Sequence, residues 1–63
     1  MTKEQYREAL KTLGLSVYAS GDWLGISMRQ SQRYASGEAP IPQVVANLLD
    51  CFLRHGLPPK PED

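Results

Sequence analysis

The sequence has little of what disulfides, metal sites and membrane spans need. It contains one cysteine and one histidine, so Cys51 cannot form an internal disulfide, and Cys51 with His55 is too small a donor set for zinc. Crossing a bilayer takes about 20 consecutive apolar residues, and no apolar run approaches that length. Residues 1–6 contain no hydrophobic signal region. We therefore expect a cytoplasmic protein with no metal, no cofactor and no membrane partner.

The residue combinations of common active sites are also missing. The single histidine stands near the end of an expected helix, and no serine or aspartate accompanies it in a triad pattern. No glycine-rich phosphate loop follows a strand, and no carboxylate pair is placed in a plausible cleft. We therefore do not expect an enzyme.

The chain has no net charge, because seven basic and seven acidic residues cancel. Affinity for a polyanion usually comes from basic residues that neutralise phosphates, so the overall charge counts against nucleic-acid binding. Residues 27–37, however, contain Arg29 and Arg33 and no acidic residue. Because bound DNA is affected most by the charges nearest to it and not by the net charge of the chain, this segment is still a candidate contact surface.

The pattern of apolar residues and caps predicts helices only. The length of 63 residues allows one domain, which buries only about 60% of its unfolded surface. The expected helices span residues 2–13, 16–24, 27–36 and 42–54. Pro42 is suited to the first position of the last of them. We predict an all-α, compact four-helix domain over residues 1–56 and a Pro-rich flexible tail over 57–63.

Helical spacing also predicts the core. Apolar residues recur on one face of the first helix and over a wide arc of the fourth. The residues expected to be largely buried are Leu10, Leu13, Leu24, Ile26, Tyr34, Val45, Leu48, Leu49 and Phe52. We interpret Cys51, on the same helix, as a small buried hydrophobe, and Trp23 as a packing residue.

A short turn separates the second and third helices. Gly25 can adopt the left-handed conformation that ends a helix, and Ser27 can cap the next one. Gln30 follows Ser27 at the spacing of a capping box, in which each residue's side chain bonds to the other's backbone N–H. Such a short connection sets two helices at a steep angle, the geometry of a DNA-reading helix-turn-helix.

The third helix has the composition that reading of the DNA major groove needs. Arginine can pair with guanine through two hydrogen bonds, and glutamine can pair with adenine in the same way. Backbone N–H groups where the second and third helices begin can bind phosphates. The candidate DNA-binding residues are Ser16, Val17, Ser27, Met28, Arg29, Gln30, Gln32, Arg33 and Ser36. Lys3, Arg7 and Lys11 form a positive stripe on the first helix, from which a secondary phosphate contact is possible.

Residues 15–42 resemble the Cro and phage-repressor (Xre-like) class of helix-turn-helix proteins. The matching features, in order and without a gap, are the cap Ser16, the small residue Gly21, the turn Leu24-Gly25-Ile26-Ser27, the helix end Arg33-Tyr34-Ala35-Ser36-Gly37 and the Pro40-Ile41-Pro42 segment. The resemblance implies a lambda-repressor-like domain and a transcriptional regulator, a repressor or autoregulator, that binds an operator in double-stranded DNA.

The chain departs from this family at three positions. Ser20 and Ser31 stand where aliphatic residues are usual, which removes part of a buried methyl contribution of about 0.8 kcal/mol per CH₂. Gly21 replaces the usual alanine at a cost of roughly 1 kcal/mol in helix propensity. We expect the second helix to be intrinsically weak and to depend on tertiary packing.

Two further expectations concern partners. An apolar strip at Phe52, Leu53 and Leu57, at the end of the fourth helix and just after it, is left over and predicts a homodimer. Its two reading helices would lie about 34 Å apart on a palindromic operator. The alternative function is a small helical protein–protein interaction module that uses the same scaffold without specific DNA binding. Its surface should carry apolar anchors, whereas the third helix exposes polar residues.

Overall fold

The computed structural model describes residues 1–59 and has four helices in this part of the chain. They are α1 (Lys3–Leu13), α2 (Val17–Leu24), α3 (Met28–Ser36) and α4 (Gln43–His55). No strand occurs in the same residues. The prediction of a compact, all-α four-helix domain is therefore confirmed. None of these helices has the length and apolar character that spanning a membrane requires.

Side-chain caps fix where the first three helices begin. Thr2 forms a complete capping box with Gln5, with hydrogen bonds of 3.1 Å to the Gln5 N–H and 2.9 Å from the Thr2 N–H. Ser16 and Ser27 each accept a 3.0 Å hydrogen bond from the N–H three residues later. Among residues 1–59 no hydrogen bond joins the Gln30 side chain to the Ser27 N–H, so only half of the box predicted there forms.

The fourth helix begins one residue later than expected. Pro42 is the N-cap, with an extended backbone (φ −61°, ψ 150°), and α4 starts at Gln43. The Pro42 carbonyl already accepts hydrogen bonds from the N–H groups of Val45 and Ala46, both at 3.1 Å. The prediction that Pro42 is the first helical residue was wrong, because its ψ angle is not helical.

The hydrophobic core lies between all four helices. Its buried members are Tyr6, Ala9, Leu10, Leu24, Tyr34, Ala35, Val45, Leu49 and Phe52. Six of the nine predicted core residues are among them, while Leu13, Ile26 and Leu48 are only partly buried against the cluster. Tyr6, which helical spacing also places on the core-facing side of α1, is completely buried.

Cys51 is exposed, so its prediction as a buried residue was wrong. Val45, Leu49 and Phe52 follow one another at helical spacing and turn the buried face of α4 inward. Cys51 follows Leu49 by two residues, or about 200° around the helix axis, and therefore points away from the core.

The two unexpected serines are buried in a chain of hydroxyl groups. The Ser31 Oγ lies 2.6 Å from the Tyr6 hydroxyl and 2.7 Å from the Ser20 Oγ, which donates a 2.8 Å hydrogen bond to the Val17 carbonyl. Ser20 and Ser31 are both 0% exposed. Instead of leaving a gap where methyl groups are missing, these positions join α1, α2 and α3 through hydrogen bonds.

Gly21 is required by the close approach of α2 to the turn that follows it. A Cβ atom at this position would lie 2.5 Å from the Ile26 carbonyl oxygen. The Gly21 carbonyl accepts hydrogen bonds from the N–H groups of Gly25 (2.9 Å) and Ile26 (3.1 Å). The helix propensity lost at Gly21 therefore allows the chain to fold back tightly against α2.

The chain after α4 returns to α2. The Trp23 indole N–H donates a 2.8 Å hydrogen bond to the Pro58 carbonyl, and Leu57 packs partly buried against the core. Leu57 and Pro58 of the predicted tail thus contact the domain. The rest of that tail lies outside the described residues.

Candidate nucleic-acid interface

The connection between α2 and α3 consists of Gly25, Ile26 and Ser27. Gly25 has the left-handed conformation expected of it (φ 70°, ψ 28°), which ends α2. Ser27 is extended (φ −70°, ψ 156°) and caps α3. A left-handed residue followed by an extended one reverses the chain within three residues, so α3 packs directly against α2.

The rotation of α3 about its own axis decides which side chains face outward. At about 100° per residue, Arg29, Arg33, Gln32 and Ser36 fall within an arc of about 100°. Ser31, Tyr34 and Ala35 lie around the opposite side and are buried. The hydrogen bonds of Ser31 with the Tyr6 and Ser20 hydroxyls therefore attach the buried side of α3 to α1 and α2. The polar side of α3 is left exposed.

The four outward residues of α3 line one surface depression. Its volume is about 400 Å³, and Arg29, Gln32, Arg33 and Ser36 form its walls together with Glu38. We call this surface the α3 face. It contains four of the nine predicted DNA-binding residues.

Within residues 1–59, the arginines of the α3 face form no ion pair. The salt bridge found within residues 1–59 joins Arg54 to Asp50 on α4, at 3.1 Å, and neither Arg29 nor Arg33 takes part in one. Their guanidinium groups therefore keep their donors available for a ligand. Glu38, which follows the acid-free segment 27–37, adds one negative charge to the same depression.

A second depression adjoins the α3 face and adds residues from two other helices. It has a volume of about 320 Å³ and is lined by Arg7, Val17, Tyr18, Gln32, Ala35 and Ser36. Gln32 and Ser36 line both depressions, so the two form one continuous surface. Val17, a predicted contact, lies on it at the start of α2.

Sequence reasoning missed Tyr18 and left Arg7 undecided among three basic residues. Tyr18 is 56% exposed, and Arg7 comes directly after the buried Tyr6 on α1. The signal for Tyr18 was its position in the first turn of α2, two residues after the cap Ser16. No local sequence signal distinguished Arg7 from the other two basic residues of α1, because Arg7 belongs to this surface only through its position beside α2.

The remaining predicted DNA-binding residues differ in how accessible they are to a ligand. Met28 is 56% exposed and can be reached by a ligand. The hydroxyls of Ser16 and Ser27 are exposed but already accept hydrogen bonds as caps. Gln30 is half-buried and lines neither depression. Its direct contact with DNA is thus the least supported by this geometry.

The predicted dimer strip is smaller than expected. Phe52, expected both in the core and on the strip, is 7% exposed and belongs to the core. Leu57 is partly buried, whereas Leu53 is 42% exposed and lines a shallow depression with Met1 and Ala9. Of the three strip residues, Leu53 is therefore the one that is exposed.

Among residues 1–59 no group of three or more potential metal ligands comes together. Comparison of the chain with protein-family models, curated sequences and solved structures finds no match, so the inference of function rests on the surface that α1, α2 and α3 form.

Proposed function

We propose that the protein binds duplex DNA sequence-specifically through α3 and thereby regulates transcription, as a repressor or autoregulator. The observation that carries this proposal is the α3 face: Arg29, Gln32 and Arg33 are exposed side by side, and neither arginine has an ion-pair partner among residues 1–59. The resemblance of residues 15–42 to Cro and Xre-like regulators supports the same function.

The shape and chemistry of α3 agree with binding in the major groove. That groove is about 12 Å wide and admits one α-helix. A helix in the major groove must present hydrogen-bond donors and acceptors to the base edges on one side. Its opposite side must pack against the rest of the domain. The α3 face supplies the polar side, and the hydroxyl chain through Ser31 holds the buried side.

Phosphate contacts come from around α3. Arg7 and the first turn of α2, with Val17 and Tyr18, border the α3 face on one side. Free backbone N–H groups at a helix start attract phosphates, and each phosphate that is neutralised contributes about −0.9 to the slope of log affinity against log salt. Because the chain has no net charge, a single subunit binds weakly.

Dimerisation on a two-fold operator compensates for this weak electrostatic attraction. The exposed Leu53 on α4, with the exposed Met1 that lines the same depression, is the surface that we assign to the contact between two copies. Two subunits with their α3 helices about 34 Å apart would bind one face of B-DNA. Sedimentation on the selected duplex tests this: one subunit per site, or a site without two-fold symmetry, would exclude the dimer.

The competing function is a protein-interaction module, supported by the apolar residues that α4 exposes. Val44 is 72% exposed and Leu53 is 42% exposed. Apolar anchors of this kind are what a partner surface uses. They lie on α4, however, while the polar α3 face has no role in that function.

Fluorescence polarisation with a labelled duplex carrying the selected site tests DNA binding. Arg29→Ala and Arg33→Ala should each weaken binding by about 1 to 3 kcal/mol if the arginine pairs with a base, with little change in thermal stability. Arg54→Ala is the matched control, because Arg54 is an exposed arginine on α4 paired with Asp50. Unchanged binding by the double variant of Arg29 and Arg33 would refute the proposal.

A further inference from the structure

The spacing of the two arginines on the α3 face limits the DNA sequence that α3 can read. Arg29 and Arg33 are four residues apart, which corresponds to about 6 Å along the helix axis. Base pairs of B-DNA succeed one another every 3.4 Å or so along the duplex axis. A helix lying along the groove therefore brings the two guanidinium groups over base pairs that are one or two steps apart.

The chemistry of the two side chains selects guanine. Each guanidinium has donors arranged to meet the N7 and O6 acceptors of guanine at once. Neither arginine of the α3 face is engaged in a salt bridge in residues 1–59, so both can make this contact without first breaking another.

Glu38 favours a base over a phosphate as the partner of Arg33. Glu38 lines the same depression as Arg33, and a carboxylate repels the phosphate oxygens of DNA. A carboxylate is compatible with base edges, since the N4 amino group of cytosine can donate to it. The end of the α3 face nearest Glu38 is thus better suited to the G·C base pair than to the backbone.

From this geometry we infer that each half-site contains two G·C base pairs within three consecutive base pairs, one read by Arg29 and the other by Arg33. The inference rests on the proposed function and specifies its ligand. Gln32, which lies beside both arginines on the α3 face, adds a preference for adenine next to them. Arg54, outside this surface, has no part in the preference.

In-vitro selection from a random duplex library, with the full-length chain, tests the inference. The wild-type protein should enrich sites with two guanines inside a three-base-pair window, on either strand. Arg29→Ala should abolish the preference at one guanine, and Arg33→Ala at the other. The loss at each position should be about 5- to 150-fold, the discrimination expected of one bidentate pair. Arg54→Ala should select the wild-type sites.

The outcomes separate this inference from the proposed function. Enriched sites without the paired guanines would overturn the inference and leave sequence-specific DNA binding standing. Uniform weakening of all sequences by both variants, with a salt slope reduced by about 1 for each, would make the arginines phosphate contacts and also overturn it. No enrichment by the wild-type protein would refute the proposed function itself.

Discussion

The buried hydroxyl chain predicts that Ser31→Ala destabilises the protein more than Tyr6→Phe, although each change removes one hydroxyl. The direction of the hydrogen bonds explains the difference. Ser20 gives its only hydroxyl proton to the Val17 carbonyl, so it must accept from Ser31. Ser31, having given its proton to Ser20, must accept from Tyr6.

The two variants therefore leave different groups unpaired. Tyr6→Phe keeps the ring and its edge-to-face contact with Tyr34, at 5.9 Å between centroids, and removes one donor. Ser31 still donates to Ser20, so the loss is about 1 kcal/mol, the net value of one hydrogen bond. Ser31→Ala leaves the Tyr6 hydroxyl proton without an acceptor in a fully buried position, which costs about 1 to 3 kcal/mol.

Combining the two changes tests the explanation. In the double variant the orphaned Tyr6 hydroxyl is gone, so it should be no less stable than Ser31→Ala alone, and the two losses should not add. The coupling energy should therefore be at least about 1 kcal/mol, the loss caused by Tyr6→Phe alone, which is in the range for residues in one network.

Thermal unfolding followed by circular dichroism measures all three variants, with shifts of about 4 to 8 °C per kcal/mol in a domain of this size. Equal losses of stability from the two single variants, or additive losses in the double variant, would refute the assigned direction of these hydrogen bonds.

Three other changes have expected effects on stability. Gly21→Ala should lower the thermal midpoint although alanine has the better helix propensity, because the new Cβ would lie 2.5 Å from the Ile26 carbonyl oxygen. Overpacking of this kind costs about 1 to 3 kcal/mol, and a raised midpoint would contradict the expectation. Leu49→Ala should lower the free energy of unfolding, measured with denaturant, by about 2 to 5 kcal/mol. Val44→Ala, at an exposed position on the same helix, should lower it by less than about 0.5 kcal/mol, and similar losses would contradict the packing of α4. Ser27→Ala should cost about 1 kcal/mol in the same assay, and no loss would mean that the cap does not stabilise α3.

Much of the candidate site could be predicted from the sequence because its elements are set by short-range interactions. The cap Ser27 bonds to an N–H three residues away, and Gly25 ends α2 through its own backbone angles. Once the bounds of α3 are known, its 3.6-residue period places Arg29 and Arg33 on one face. The number and order of the helices follow from the same local signals.

The parts that the sequence did not determine depend on contacts between distant residues. Ser31 was expected to weaken the core, yet the Tyr6 hydroxyl, 25 positions away, makes it a buried hydrogen-bonding group. Arg7 joins the candidate interface because α1 brings it beside the start of α2. Cys51 and Phe52 are adjacent and both apolar, and only the packing of α4 decides that one is exposed and the other buried. Local hydrogen bonds and backbone angles thus determined the helices, whereas the tertiary structure decided which polar groups are paired in the interior and which side chains share a surface.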